Sequence, residues 1–295
     1  MLIIAGTIPI KELPLIYDEP EIDKDYMLLK NYKIPISQGT ATMIAAANKV
    51  SNYLNIPKPN VLIAGDIGYG DGTKKIYNYL IKNIDSLKPD VLALHYCLPI
   101  MGLIKELVEV IDKNRLNIKL VADASSMYAA KAAGLAQRFK LFTPDMSEMC
   151  FLADKDAAHP AYIKKHLFTQ NSDIEKLVKD AYKYNNAPKY LIIKGKTDYI
   201  VCNGVIAEKI DEPNIPELEA IGGTGDTITG LVSALLDTSI DTCEALVIAA
   251  KINRLAGQYI NADVSTRIVE LINVFDKVFD DYLQKIKNIN LGIKN

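Results

Sequence analysis

Ile221-Gly222-Gly223-Thr224-Gly225-Asp226-Thr227-Ile228-Thr229-Gly230 runs straight into Leu231-Val232-Ser233-Ala234-Leu235-Leu236. Three glycines in four positions let the backbone turn sharply and approach a ligand closely. Ile228, Leu231, Val232, Leu235 and Leu236 then recur at helical spacing. A glycine loop that opens a helix presents unpaired N–H groups and the positive end of the dipole, an anion site suited to phosphate. Asp226 falls in the first helical turn. As a bare cap it would need no Gly-Gly-x-Gly ahead of it, and an acid among phosphate-binding amides meets charge repulsion. Its placement makes chemical sense if it takes a proton from a hydroxyl about to meet phosphorus. The loop matches neither Gly-x-x-x-x-Gly-Lys-Ser/Thr nor an early dinucleotide fingerprint.

Outward from this stretch, strands alternate with helices. The short apolar runs Leu2–Ala5, Val61–Ala64, Val91–Leu94, Leu120–Ala122, Lys140–Phe142 and Tyr190–Ile193 read as strands, the first ending in Gly6-Thr7. Helices are expected after Gly39, through Leu80, over Leu103–Ile111, near Tyr128–Gly134 and over Ile174–Tyr184. Further helices are expected near 227–237, 242–261 and 264–285. Asn203-Gly204 marks a hairpin. Residues 8–35 show no clear period and read as irregular structure that could cover a site, and Asp154–Thr169 is ill-defined. This order means an α/β chain with a mainly parallel sheet wrapped on both faces. With no composition break, residues 1–295 read as one domain, the N-terminal half mainly on the acceptor side and the C-terminal half on the nucleotide side.

Ligands of such sheets sit at the carboxyl ends of strands. Gly6, the glycine-rich turn Gly65–Gly72, His95, Asp123, Asp145, Glu148, Lys194–Thr197 and the 222–226 loop all fall at that edge. Asp66 reads first as a turn-former. Asp66, Gly68, His95 and Asp123 are candidate substrate contacts together with Gly6. Pro144 suits a helix start.

Composition narrows the function classes. Of 295 residues 49% are apolar and the net charge is −2, so the chain can build a large core and carries no nucleic-acid surface. The basic stretch from Lys285 to Asn295 reads as a frayed tail. No apolar run is long enough to span a membrane, and Met1–Ala5 is too short for a signal segment. Cys97, Cys150, Cys202 and Cys243 are scattered without a Cys-x-x-Cys pair, which reads as four buried thiols in a cytoplasmic protein.

Asp123, Thr143-Pro144-x-x-x-Glu148, Ile193-Lys194-Gly195, a hairpin and Gly222-Gly223-Thr224-Gly225-Asp226 together resemble the ribokinase-like superfamily. Within it the loop looks most like that of the nucleotide-dependent NAD(P)H-hydrate dehydratases. The resemblance implies a three-layer ribokinase-like fold, with Asp226 as catalytic base and Gly223, Thr224 and Gly225 as anion hole. It further implies Lys194, Gly195, Thr197 and Gly222 beside the phosphates of ATP or ADP, and Mg²⁺ held through water by Glu148 and Asp145. The substrate is then a small molecule, and the group occurs in several assembly states, so a homo-oligomer stays open. Departures fall on the acceptor side. The dehydratases carry His-Pro-Gly-Glu where this chain has Asp145-Met146-Ser147-Glu148, and a Gly-Pro-Gly-rich turn where it has His95-Tyr96-Cys97-Leu98-Pro99. A small-molecule kinase and a non-catalytic nucleotide binder are the alternatives.

Overall fold

The computed structural model describes residues 1–159, 161 and 173–285; His166, much of the ill-defined segment before Thr169 and the tail beyond Lys285 lie outside them. Twelve strands and ten α-helices are described. The strands are β1 (Leu2–Ile8), β2 (Ile16–Asp18), β3 (Glu21–Asp23), β4 (Tyr26–Leu29), β5 (Tyr32–Pro35), β6 (Asn60–Gly65), β7 (Val91–His95), β8 (Lys119–Asp123), β9 (Leu141–Phe142), β10 (Tyr190–Ile193), β11 (Asp198–Cys202) and β12 (Val205–Ile210). The helices are α1 (Thr40–Tyr53), α2 (Asp71–Leu87), α3 (Met101–Lys113), α4 (Ser125–Ala132), α5 (Met146–Ala153), α6 (Ile174–Lys183), α7 (Thr224–Leu236), α8 (Thr242–Tyr259), α9 (Ile268–Asn273) and α10 (Phe275–Lys285). Nine strands form one sheet in the order β12-β11-β10-β9-β8-β7-β1-β6-β2, the α/β architecture that the alternation implies.

The chain forms two compact units, residues 1–4, 16–62 and 210–295 in one and residues 5–15 and 63–209 in the other. In the second unit β7, β8, β9 and β10 pair in parallel, and β11 turns antiparallel onto β10. All of β7 and β10 and all but the first residue of β8 are buried, which is why these strands read as unbroken apolar runs. Asn203 and Gly204, at φ 55° and 80°, make the tight β11–β12 turn.

The first unit is built around α7, whose residues from Asp226 to Leu236 are all buried. A helix buried all round needs neighbours on every side. α1 is one of them, and it approaches so closely that a Cβ on Gly230 would lie 2.3 Å from the Met43 carbonyl oxygen. Buried hydroxyls are satisfied within the helix: Ser233 Oγ donates to the Thr229 carbonyl at 2.7 Å.

Residues 8–35 differ from the irregular stretch expected. β3, β4 and β5 form a separate antiparallel sheet, with Met27, Leu29 and Ile34 buried. Its turns place Lys24 and Lys30, each at φ 51°, where glycine or asparagine would be the usual signal. Three smaller corrections follow. β1 continues through Gly6 and Thr7 to Ile8. The expected 264–285 helix is two helices parted at Val274. Cys97 and Cys150 are buried and outside any disulfide, but Cys202 and Cys243 are disulfide-bonded. No described helix is long and apolar enough to cross a membrane.

Gly230→Leu is expected to lower stability by about 3 kcal/mol or more, because the new side chain meets α1 backbone that cannot give way. Urea denaturation of wild type and variant measures this.

Candidate active site

In the second unit the carboxyl ends of four neighbouring parallel strands gather the polar residues that the sequence singled out. His95 and Asp123 are register partners at the ends of β7 and β8. Both are buried, and His95 Nε2 lies 3.7 Å from Asp123 Oδ2. Lys194, just past β10, reaches across with its ammonium 3.0 and 2.9 Å from the two Asp123 oxygens. A buried carboxylate needs such a partner. The Lys194 charge is thus spent on Asp123 in this structure, whereas the resemblance placed it beside nucleotide phosphates. Asp123 Oδ1 also accepts the Ala124 N–H at 2.8 Å.

Asp145 and Glu148 form a capping box at the start of α5. Asp145 Oδ1 accepts the Glu148 N–H at 2.8 Å, and Glu148 Oε2 accepts the Asp145 N–H at 2.9 Å. The other Glu148 oxygen accepts the Tyr128 hydroxyl at 2.7 Å. Burial, then the charge of Asp123, pushes the Glu148 carboxyl up to about 7 against the opposing pull of Lys194. The Tyr128 phenol is raised too, by burial and then by Glu148. Asp123, Asp145 and Glu148 therefore put electrostatically interacting carboxylates in one unit, hard oxygen donors of the type a divalent cation takes. The donor set fits Mg²⁺.

Gly195 donates its N–H to Asp198 Oδ1 at 3.1 Å, so a buried acid shapes the turn that carries Lys194–Thr197. Asp66 behaves as the turn-former: it accepts the N–H groups of Gly68, Gly70 and Thr73, each at 3.0 Å. Burial would raise its carboxyl, but those amides prevail and hold it below the ordinary range. The Gly68 amide is therefore engaged within the loop. Gly6 is a buried residue inside β1.

In the first unit, Gly223 sits at φ 95° immediately before α7, which has no side-chain cap. A Cβ there would meet Thr42 and Ile268 at 3.1 Å, and one on Gly222 would meet Gln38 Oε1 at 3.3 Å. The open helix start is thus maintained by tight packing as well as by conformation. Thr224 Oγ1 donates to the Leu218 carbonyl at 3.0 Å, and Thr227 Oγ1 lies 2.6 Å from Asn253 Oδ1, bracing the loop from two sides. Asp226, 9% exposed, accepts the Gly39 N–H at 2.5 Å. Gly39 begins α1, likewise with no side-chain cap. Sequence reading marked Gly39 only as a helix start. Its pairing with Asp226, 187 positions away, left no local signal.

A family profile described as NAD(P)H-hydrate dehydratase matches residues 76–278, more than half of the chain. The chain belongs to the NAD(P)H-hydrate dehydratase family. It is 41% identical over 243 residues to the uncharacterized protein MJ1337 of Methanocaldococcus jannaschii, covering 82% of this chain and all of that one. It is 25% identical over 270 residues to the ADP-dependent (S)-NAD(P)H-hydrate dehydratase of Nitrosopumilus maritimus, covering 83% of this chain and 85% of that one. Among solved structures, the ADP/ATP-dependent NAD(P)H-hydrate dehydratase of Bacillus subtilis, co-crystallized with ATP/Mg²⁺ and soaked with CoA, superposes with TM-score 0.57 at 13% identity. That superposition covers 95% of this chain and 92% of the other. The fold is ribokinase-like, as the sequence resemblance implied.

A carboxyl raised in the folded state favours folding fully below its unfolded value, and that contribution is lost as pH rises through the folded value. Glu148→Gln removes the titration. Its stability relative to wild type is therefore expected to improve between about pH 4.5 and 7. Thermal melts across that range would show no such trend if Glu148 titrated normally.

Proposed function

We propose that this protein is an ATP- or ADP-dependent dehydratase that restores hydrated NADH or NADPH. The observation that carries the reading is a buried carboxylate, Asp226, held by the Gly39 amide in the first turn of an uncapped, glycine-led helix. Family membership and the ADP-dependent relative from Nitrosopumilus support the substrate class.

In this mechanism Asp226 accepts the proton of the substrate hydroxyl as its oxygen bonds to the terminal phosphorus of the nucleotide. The shortened nucleotide leaves with the electrons of the broken P–O bond. The N–H groups of Gly223, Thr224 and Gly225 would face the transferring phosphoryl oxygens and offset their charge. The phosphorylated carbon then loses phosphate, a neighbouring carbon loses a proton, and the ring double bond is restored. Gly222, Gly195 and Thr197 would border the nucleotide. Lys194 orients Asp123 through their ion pair, and His95 beside it belongs to the acceptor side with Gly6, Asp66 and Gly68. Glu148 and Asp145 would hold Mg²⁺ through water, and bound Mg²⁺ would neutralise phosphate charge.

Asp226→Asn is expected to lower turnover of hydrated NADH by about 10²–10⁴-fold with nucleotide affinity nearly unchanged. The assay follows recovery of reduced-nicotinamide absorbance with Mg-ATP or Mg-ADP. A stable phosphorylated product without recovery would make the enzyme a kinase, and unchanged activity in the variant would remove Asp226 from its role.

A further inference from the structure

Two loops of the second unit, on the side the family resemblance leaves most open, carry four exposed large apolar side chains. Ile67 and Tyr69 follow β6, and Tyr96 and Met101 follow β7. They are 47%, 77%, 47% and 46% exposed. The loops lie against each other: Leu98 donates its N–H to Thr73 Oγ1 at 2.9 Å, and a Cβ on Gly70 would stand 3.6 Å from Leu98 and Ile100. Exposed aromatic and aliphatic side chains on two adjoining loops suit a binding surface.

Tyr96 carries the argument further. Its φ of 52° puts a bulky residue in the left-handed region, where an L side chain is strained. The strain is held in place from both sides, because the Tyr96 carbonyl accepts the Thr7 hydroxyl at 2.7 Å while buried His95 and Cys97 flank it. The Tyr96 ring stands edge-on to the His95 ring with centroids 4.5 Å apart. On the neighbouring strand, Ala124 is also left-handed, at φ 51°, directly after Asp123. The two register partners His95 and Asp123 are thus each followed by a non-glycine residue at positive φ. Glycine would relax either position; at residue 96 the chain keeps an aromatic ring there instead.

We propose that Tyr96, with Tyr69, Ile67 and Met101, receives the nicotinamide end of the substrate and sets acceptor specificity. This rests on the dehydratase reading. A hydrated nicotinamide is a partly saturated ring with apolar carbons, one hydroxyl and a carboxamide. Aromatic faces cover such carbons well, and the buried polar pair His95–Asp123 lies next to the Tyr96 ring.

The probe is reduced nicotinamide mononucleotide, with saturation-transfer NMR reading magnetisation on its ring protons. Tyr96→Gly and Tyr69→Ser are each expected to weaken probe binding by about tenfold, with MgATP affinity unchanged. Tyr96→Gly should fold at least as stably as wild type, since glycine adopts this φ freely, which separates ring loss from misfolding. With hydrated NADH, KM should rise about tenfold in each variant while kcat changes little. No transfer to the ring protons in wild type, or unchanged binding in both variants, overturns the proposal. So does a change in self-association of the variants without a change in probe binding, which would make the surface an interface between copies. Probe binding lost in the variants while wild type fails to convert hydrated NADH keeps the ring site and removes the dehydratase reading.

Discussion

The closeness of α1 to α7 is the constraint on which the candidate site depends. α7 is buried on every face from Asp226 to Leu236, so it must be enclosed, yet its N-terminus carries no side-chain cap. Gly230 lets α1 come to contact distance halfway along the helix. That same approach delivers the Gly39 amide to Asp226. One packing contact thus sets the depth of the helix and the orientation of its acid, so core and chemistry are not separable here.

Electrostatics organises the second unit in a different way. Parallel strands end side by side, and their ends carry Asp123, Asp145, Glu148 and Lys194 within one neighbourhood. Asp123 receives the lysine. Glu148 is held by Tyr128 and by the Asp145 amide, and burial, then the charge of Asp123, raises its carboxyl. Lys131 shows the opposite arrangement. Its buried ammonium is held by the carbonyls of Phe151, Asp154 and Ala157 at 2.7, 2.6 and 2.7 Å, and burial brings it down to about 8. Six carbonyl lone pairs suit an ammonium, whereas carboxylates are the hard oxygen donors that divalent cations take.

Much of this was legible in the sequence because the signals were local. The alternation of apolar strands and periodic helices, the Asn203-Gly204 turn and the glycine loop before α7 each announce themselves within ten residues. The β3–β5 sheet was hidden because its turns use lysines at positive φ, which carry no turn signature. The pairing of Gly39 with Asp226 and of Asp123 with Lys194 spans 187 and 71 positions, and no periodicity encodes such distances. Tyr96 could be seen as a departure from the family pattern, but its backbone strain could not. The disulfide bonding of Cys202 and Cys243 was missed because neither lies in a motif.

The interleaving of the two units has a consequence for synthesis. The chain passes between them four times, at residues 4–5, 15–16, 62–63 and 209–210. On a ribosome every residue of the second unit has been synthesised by position 209, whereas the first unit waits for 210–295 to enclose α1. Its early pieces, including Gly39, must therefore stand without their partners while about 150 intervening residues are translated, a matter of roughly ten seconds or more at ordinary elongation rates.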